Sequence, residues 1–204
     1  MAIIEAWATC LLTFLLGAGA SGLTIIDASP MAVALYAALL NFTGLSLFIF
    51  AAAPASGGHL NPSITMATFF AGLSTLPRSV LYIAAQSTGA IVGAFWLRLG
   101  LGDSFFPAVG RMSGIGHCGS ADSEDQDVIP GCTVDPALVS PGQLFVMEFM
   151  FAQALIFTAF GVGLDPRQGK VFGPALAPFL VGGTLGLATL ASSLTKPGYT
   201  GVCR

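Results

Sequence analysis

Ala55-Ser-Gly-Gly-His-Leu-Asn-Pro-Ser-Ile-Thr-Met-Ala-Thr-Phe-Phe-Ala71 reads as a membrane-depth segment that does not cross the membrane. Asn61 followed by Pro62 is a helix start, because an Asn side chain caps exposed amides and a proline at the first helical position loses no hydrogen bond. The helix it opens has room to run only to about Gly72, roughly 15 Å at ~1.5 Å per residue, or half the hydrocarbon thickness of a bilayer. A half-helix must enter and leave on one side. Its irregular approach, Ser56 to Leu60, is tolerated at that depth only where protein or a water-filled cavity satisfies its backbone groups. The segment therefore predicts a re-entrant half-helix beside an aqueous path.

Outward from it, uncharged stretches run from Ala6 to Ile26, Ala28 to Pro77 (broken only by the ionisable His59), Ser79 to Leu97 and Val171 to Thr195. Each is close to the ~20 residues a crossing helix needs. The pattern predicts crossings at about 5–26, 31–53, 77–101, 141–163 and 172–194. A composition 54% hydrophobic and 8% charged excludes an ordinary soluble domain and makes lipid the natural solvent. Glu5 at the start of the first segment, with no basic leading region, argues against a cleaved signal peptide. Trp7 and Trp96 fall near segment ends, as interfacial aromatics do. The net charge of -3, with its seven Lys and Arg scattered singly, implies no nucleic-acid partner. No nucleophile–base pair, metal cluster or cofactor motif suggests an enzyme, a metal or a cofactor.

Internal comparison gives one domain in two halves: a first repeat 1–102, a polar loop 103–140 and an incomplete second repeat 141–204. Glu5 opens the first helix and Glu148 lies early in the fourth, with Phe14 and Phe157 in matching places. Asn61 lies 56 residues after Glu5, and 57 residues after Glu148 would be position 205, one past the end, so the chain ends where a second Asn-Pro is due. The sequence is thus expected to be part of a longer chain. Small residues at four-residue spacing, Gly89 with Gly93 and Gly182 with Gly186, predict close helix crossings.

Ser56-Gly57-Gly58-His59-Leu60-Asn61-Pro62, the run Tyr82 to Gly93 with Gln86, the helix-opening glutamates and Gly198-Tyr-Thr-Gly201, in this order and spacing, resemble the aquaporin (major intrinsic protein) family over essentially the whole chain. The resemblance implies an all-α, aquaporin-like inverted-repeat bundle with a re-entrant half-helix and cytoplasmic termini, assembled as a homotetramer with one pore per subunit. It implies a passive channel for water and small uncharged solutes that excludes protons and ions. The membrane is expected to be the plasma membrane. Ser63 stands where the family usually has Ala. The second motif, its filter arginine and the sixth helix are missing from these residues. A small polar filter and Cys203 also resemble the X-intrinsic branch.

On this reading the carbonyls of Ser56, Gly57, Gly58 and His59 supply a single file of acceptors, and Asn61 donates to the passing oxygen at the central constriction with Pro62 and Ser63. Glycines suit the file because solute approaches a backbone without Cβ closely. The half-helix N-terminus, partially positive, opposes cations and protons. Glu5, Glu148 and Gln86 hold the re-entrant loops in register, since such groups are otherwise costly in a membrane. Family spacing places the selectivity filter at Asn41, Ser193 and Val202. Water-selective members have Phe and His at the first two places, so a wider, amphiphilic opening is expected, passing glycerol-sized polyols, hydrogen peroxide or urea. Cys118 and Cys132 share the polar loop and are expected to form a disulfide if it is extracellular; a metal site with His117 is the alternative. Two other functions fit broken helices on such a fold: a secondary transporter and a non-conducting junction protein.

Overall fold

Proline or a hydroxyl-bearing cap starts four of the helices in the computed structural model, which describes residues 1–23, 29–102, 139–165, 167 and 173–195. Among these residues the chain is all-α: α1 (Ala2–Leu23), α2 (Pro30–Ser56), α3 (Pro62–Phe70), α4 (Leu76–Leu101), α5 (Pro141–Ala159), which continues into a π-turn at Phe160–Leu164, and α6 (Gly173–Thr195). Every helix but α3 is long and apolar enough to span a membrane. Large apolar side chains cover the outside, with Ile3 84% and Phe157 80% exposed, a surface suited to lipid and not to water. Ser29 caps α2 through the Ala32 N–H, and Ser140 and Gln143 close a reciprocal capping box on α5.

α2 runs three residues beyond the expected end. Pro54 sits in its last turn, and Gly57, at φ 100°, closes the helix by donating its N–H to the Ala53 carbonyl in the left-handed conformation that favours glycine. α3 stops at Phe70 rather than at Gly72, because Gly72 adopts φ 73° and the N–H groups of Gly72 and Leu73 turn back to the carbonyls of Phe69 and Thr68.

In lipid no hydrophobic force separates helix from solvent, so helices associate by close backbone approach. α1 lies against α4, and α2 against α6, as the most extensively packed pairs. Both depend on the predicted small residues. A Cβ at Gly89 would stand 2.1 Å from the Ala6 carbonyl oxygen, and one at Gly93 2.4 Å from that of Cys10. A Cβ at Gly182 would reach within 2.6 Å of the Phe42 carbonyl, and one at Gly186 within 2.8 Å of that of Ala38. Ala8, Leu12, Leu45, Ala52, Leu60, Ile64, Leu155, Ala159, Val181 and Leu185 form the apolar centre where α1, α2, α3, α5 and α6 converge. Just beyond the π-turn, the Arg167 guanidinium hydrogen-bonds Asp165 and holds its carboxyl below the usual carboxylate range.

Candidate pore site

The chain between α2 and α4 leaves and returns at the same end of the bundle. The Ser56 carbonyl, last of α2, accepts from Tyr82 Oη at 2.8 Å and from Arg78 Nη2 at 2.9 Å, both on the first turns of α4. Arg78 also packs over the Tyr82 ring, 5.0 Å from its centre. Between these anchors lie the irregular residues 57–61 and α3, nine residues and about 14 Å long at ~1.5 Å per residue. The segment is a half-length excursion and not a crossing.

The backbone of the approach is held from behind by one carboxylate. Glu5, on the first turn of α1 and fully buried, accepts four hydrogen bonds. Ser56 Oγ (2.5 Å) and the His59 N–H (3.1 Å) donate to Oε1; the Leu60 N–H (2.8 Å) and Gln86 Nε2 (2.9 Å) donate to Oε2. These bonds hold Leu60 at φ 51°, a left-handed conformation that costs a non-glycine residue about 1 kcal/mol or more. Gly58, at φ 63°, lies so close to α2 that a Cβ would meet the Ala53 nitrogen at 3.1 Å.

With its N–H groups drawn toward Glu5, the segment leaves carbonyls unused. Among the described residues no hydrogen bond is donated to the carbonyls of Gly57, Gly58 or His59. Ser56 departs from the expectation that its carbonyl joins this file: it is 2% exposed, and Arg78 and Tyr82 saturate that oxygen. Asn61 caps α3, its Oδ1 accepting from the Ser63 N–H at 2.8 Å, while its Nδ2 has no partner among the described residues. Pro62 occupies the first helical position, and Ser63 is exposed.

Thr65 was not legible as a site residue. It is fully buried in the first turn of α3, where its Oγ1 lies 3.2 Å from the Asn61 carbonyl, 3.1 Å from His59 Nδ1 and 3.1 Å from Gln86 Nε2. It thereby joins the cap, the approach and α4. Arg78 and Tyr82 were also missed as carbonyl donors, although Arg78, Tyr82, Gln86, Gly89 and Gly93 form one stripe of α4 at helical spacing. Replacing Tyr82 by Phe removes one of two donors to the Ser56 carbonyl, and because Arg78 remains the expected cost is only ~1 kcal/mol. Thermal unfolding in detergent checks this as a lowered Tm with water permeability retained.

Toward the other end of the bundle, two of the three predicted filter residues each bond to Thr189 and not to one another. Asn41 on α2 donates from Nδ2 to Thr189 Oγ1 on α6 at 3.1 Å, and Ser193 Oγ donates to the Thr189 carbonyl at 2.7 Å. Glu148 is half-buried on α5. Val202, Cys118 and Cys132, with His117 and Cys203, lie outside the described residues.

A half-crossing helix framed by spanning helices, all in an apolar all-α bundle, defines an integral, multi-pass membrane protein with a re-entrant loop. The chain belongs to the major intrinsic protein family, whose model matches residues 1–202. Among its relatives, Aquaporin TIP1-1 of Arabidopsis thaliana is 28% identical over 155 residues, covering 76% of this chain and 51% of that protein. Aquaporin TIP4-1 of Zea mays is 30% identical over 178 residues, 86% of this chain and 56% of that protein. A probable aquaporin of TIP type from Medicago truncatula is 31% identical over 146 residues, 72% and 46% respectively. The chain thus spans about half the length of the curated relatives it matches. None of these three is named for the X-intrinsic branch.

Proposed function

We propose that this chain builds one half of the wall of a passive transmembrane channel for water and small uncharged solutes. The observation that carries the reading is the run of carbonyls at Gly57, Gly58 and His59 leading to Asn61 Nδ2, none of which has a hydrogen-bond partner among the described residues. Water in a narrow pore must exchange hydrogen bonds with its wall at little cost, and a row of acceptors ending in one donor supplies that exchange. The α3 N-terminus lies beside the same point, and its partial positive charge opposes cations and a proton wire. The relatives, named as aquaporins, support the same reading.

The proposal extends to the inverted repeat, with residues 1–102 and 141–204 as its two parts, and to a homotetramer. Glu148 would hold the second re-entrant loop as Glu5 holds the first. Asn41, Ser193 and Val202 would form the filter, where residues smaller than Phe and His admit glycerol-sized polyols, hydrogen peroxide or urea. Cys118 and Cys132 would be bonded.

Stopped-flow light scattering on proteoliposomes tests this. The expected result is water permeability well above that of empty vesicles, independent of sodium or proton gradients, with no proton conductance. Flux that requires either gradient, or none at all, contradicts the proposal. Replacing Asn61 by Ala removes both the α3 cap, worth ~1 kcal/mol, and the central donor. Water permeability per recovered protein should fall severalfold, and unchanged flux would remove Asn61 from the path.

A further inference from the structure

Asn41 lies on the face of α2 that also carries Leu45 and Ala52, separated from them by whole numbers of turns, and both of those side chains belong to the apolar centre. Its carboxamide therefore caps the bundle axis at the end away from Glu5. Thr189, across the α2–α6 contact, is 6% exposed, and its hydroxyl proton goes to the Leu185 carbonyl at 2.9 Å. A hydroxyl has one proton, so toward Asn41 this oxygen only accepts. The Asn41 group facing Thr189 must then be the NH2. Its Oδ1 points away from Thr189 and has no partner among the described residues.

We propose that Thr189 is a positioning residue for solute selection: without touching solute, it fixes the Asn41 carboxamide so that an acceptor, Oδ1, faces the path. This rests on the channel reading above and adds to it a determinant outside the predicted filter positions. An acceptor at a constriction favours solutes whose donors outnumber their acceptors. Urea, with four N–H groups, gains more from it than water does. Freed of Thr189, the amide turns, and its NH2 and oxygen alternate toward the path.

The test measures urea and water permeability together in proteoliposomes of the protein and of Thr189→Val, which keeps the volume and removes the hydroxyl. The expected result is a urea-to-water ratio lowered about threefold, the loss of a fraction of one hydrogen bond, with Thr189→Ser restoring it. Asn41→Leu, which removes the carboxamide without widening the opening, should lower the ratio at least as far, and Thr189→Val added to it should change nothing more. An unchanged ratio in Thr189→Val, failure of Thr189→Ser to restore it, or additive effects in the double variant would overturn the proposal. So would a parent protein that passes water and excludes urea. A parent that passes neither overturns the channel reading, and the assignment of Thr189 with it. If Thr189→Val is not recovered in membranes, Asn41→Leu alone decides: a ratio equal to the parent's overturns the proposal.

Discussion

Glu5→Gln is expected to abolish water permeability and to lower stability by about 2–6 kcal/mol, the cost of leaving roughly two buried donors unpaired at ~1–3 kcal/mol each. Two donors converge on each Glu5 oxygen, and glutamine keeps only one oxygen. Its NH2 would face either the Ser56 hydroxyl and the His59 N–H, or the Leu60 N–H and Gln86 Nε2. The first pair leaves at least the His59 N–H opposed by another donor; the second does the same to Leu60. Either way the left-handed turn at Leu60 loses what holds it, and residues 57–61 relax away from the geometry that exposes their carbonyls. The loss is a large part of the ~5–15 kcal/mol that typically separates folded from unfolded chains. Unfolding in detergent and stopped-flow water flux check the two arms; a variant with the parent's Tm and flux would show that Glu5 does not hold the loop.

Gly89→Ala is expected to destabilise by about 3 kcal/mol or more, beyond the usual range for a single added methyl group in a packed core. The new Cβ would lie 2.1 Å from the Ala6 carbonyl oxygen and 2.9 Å from its carbon, which are backbone atoms that no rotamer change removes. α1 must move, and Ala6 is the neighbour of Glu5. The shift would draw the carboxylate away from Gln86, which lies one turn before Gly89 on α4. Gly17→Ala is the control. There the new Cβ meets only the Leu97 Cδ2 at 2.5 Å, the end of a flexible side chain, and ~1 kcal/mol is expected. The comparison is made by Tm and by yield of folded protein, with equal losses in the two variants contradicting the account.

The crossings and the half-helix were legible because length against bilayer thickness and an Asn-Pro start are local properties of the chain. The crossing glycines were legible for a similar reason, since four-residue spacing puts them on one helix face. Glu5 and Gln86 were legible because ionisable or strongly polar groups are rare in such segments. What Glu5 binds was readable only in outline. Which carbonyl faces outward depends on donors that arrive from another helix, and Arg78 and Tyr82 reach Ser56 from 22 and 26 residues away. Thr65 and Thr189 carry no sequence signal, because a threonine inside an apolar helix commonly bonds its own preceding turn, as Thr189 does to Leu185. The pairing of Thr189 with Asn41, 148 residues apart, follows only from the α2–α6 crossing.

The re-entrant path from Ser56 to Leu76 is tested most directly by labelling from each side of the membrane. Single cysteines at the exposed positions Ala55 and Leu73, in a chain whose Cys10, Cys118, Cys132 and Cys203 are replaced by serine, would be treated with a membrane-impermeant maleimide in sealed vesicles of both orientations. The account predicts that both cysteines react from one and the same side. Reaction from opposite sides would mean that the segment crosses the bilayer, and would contradict it.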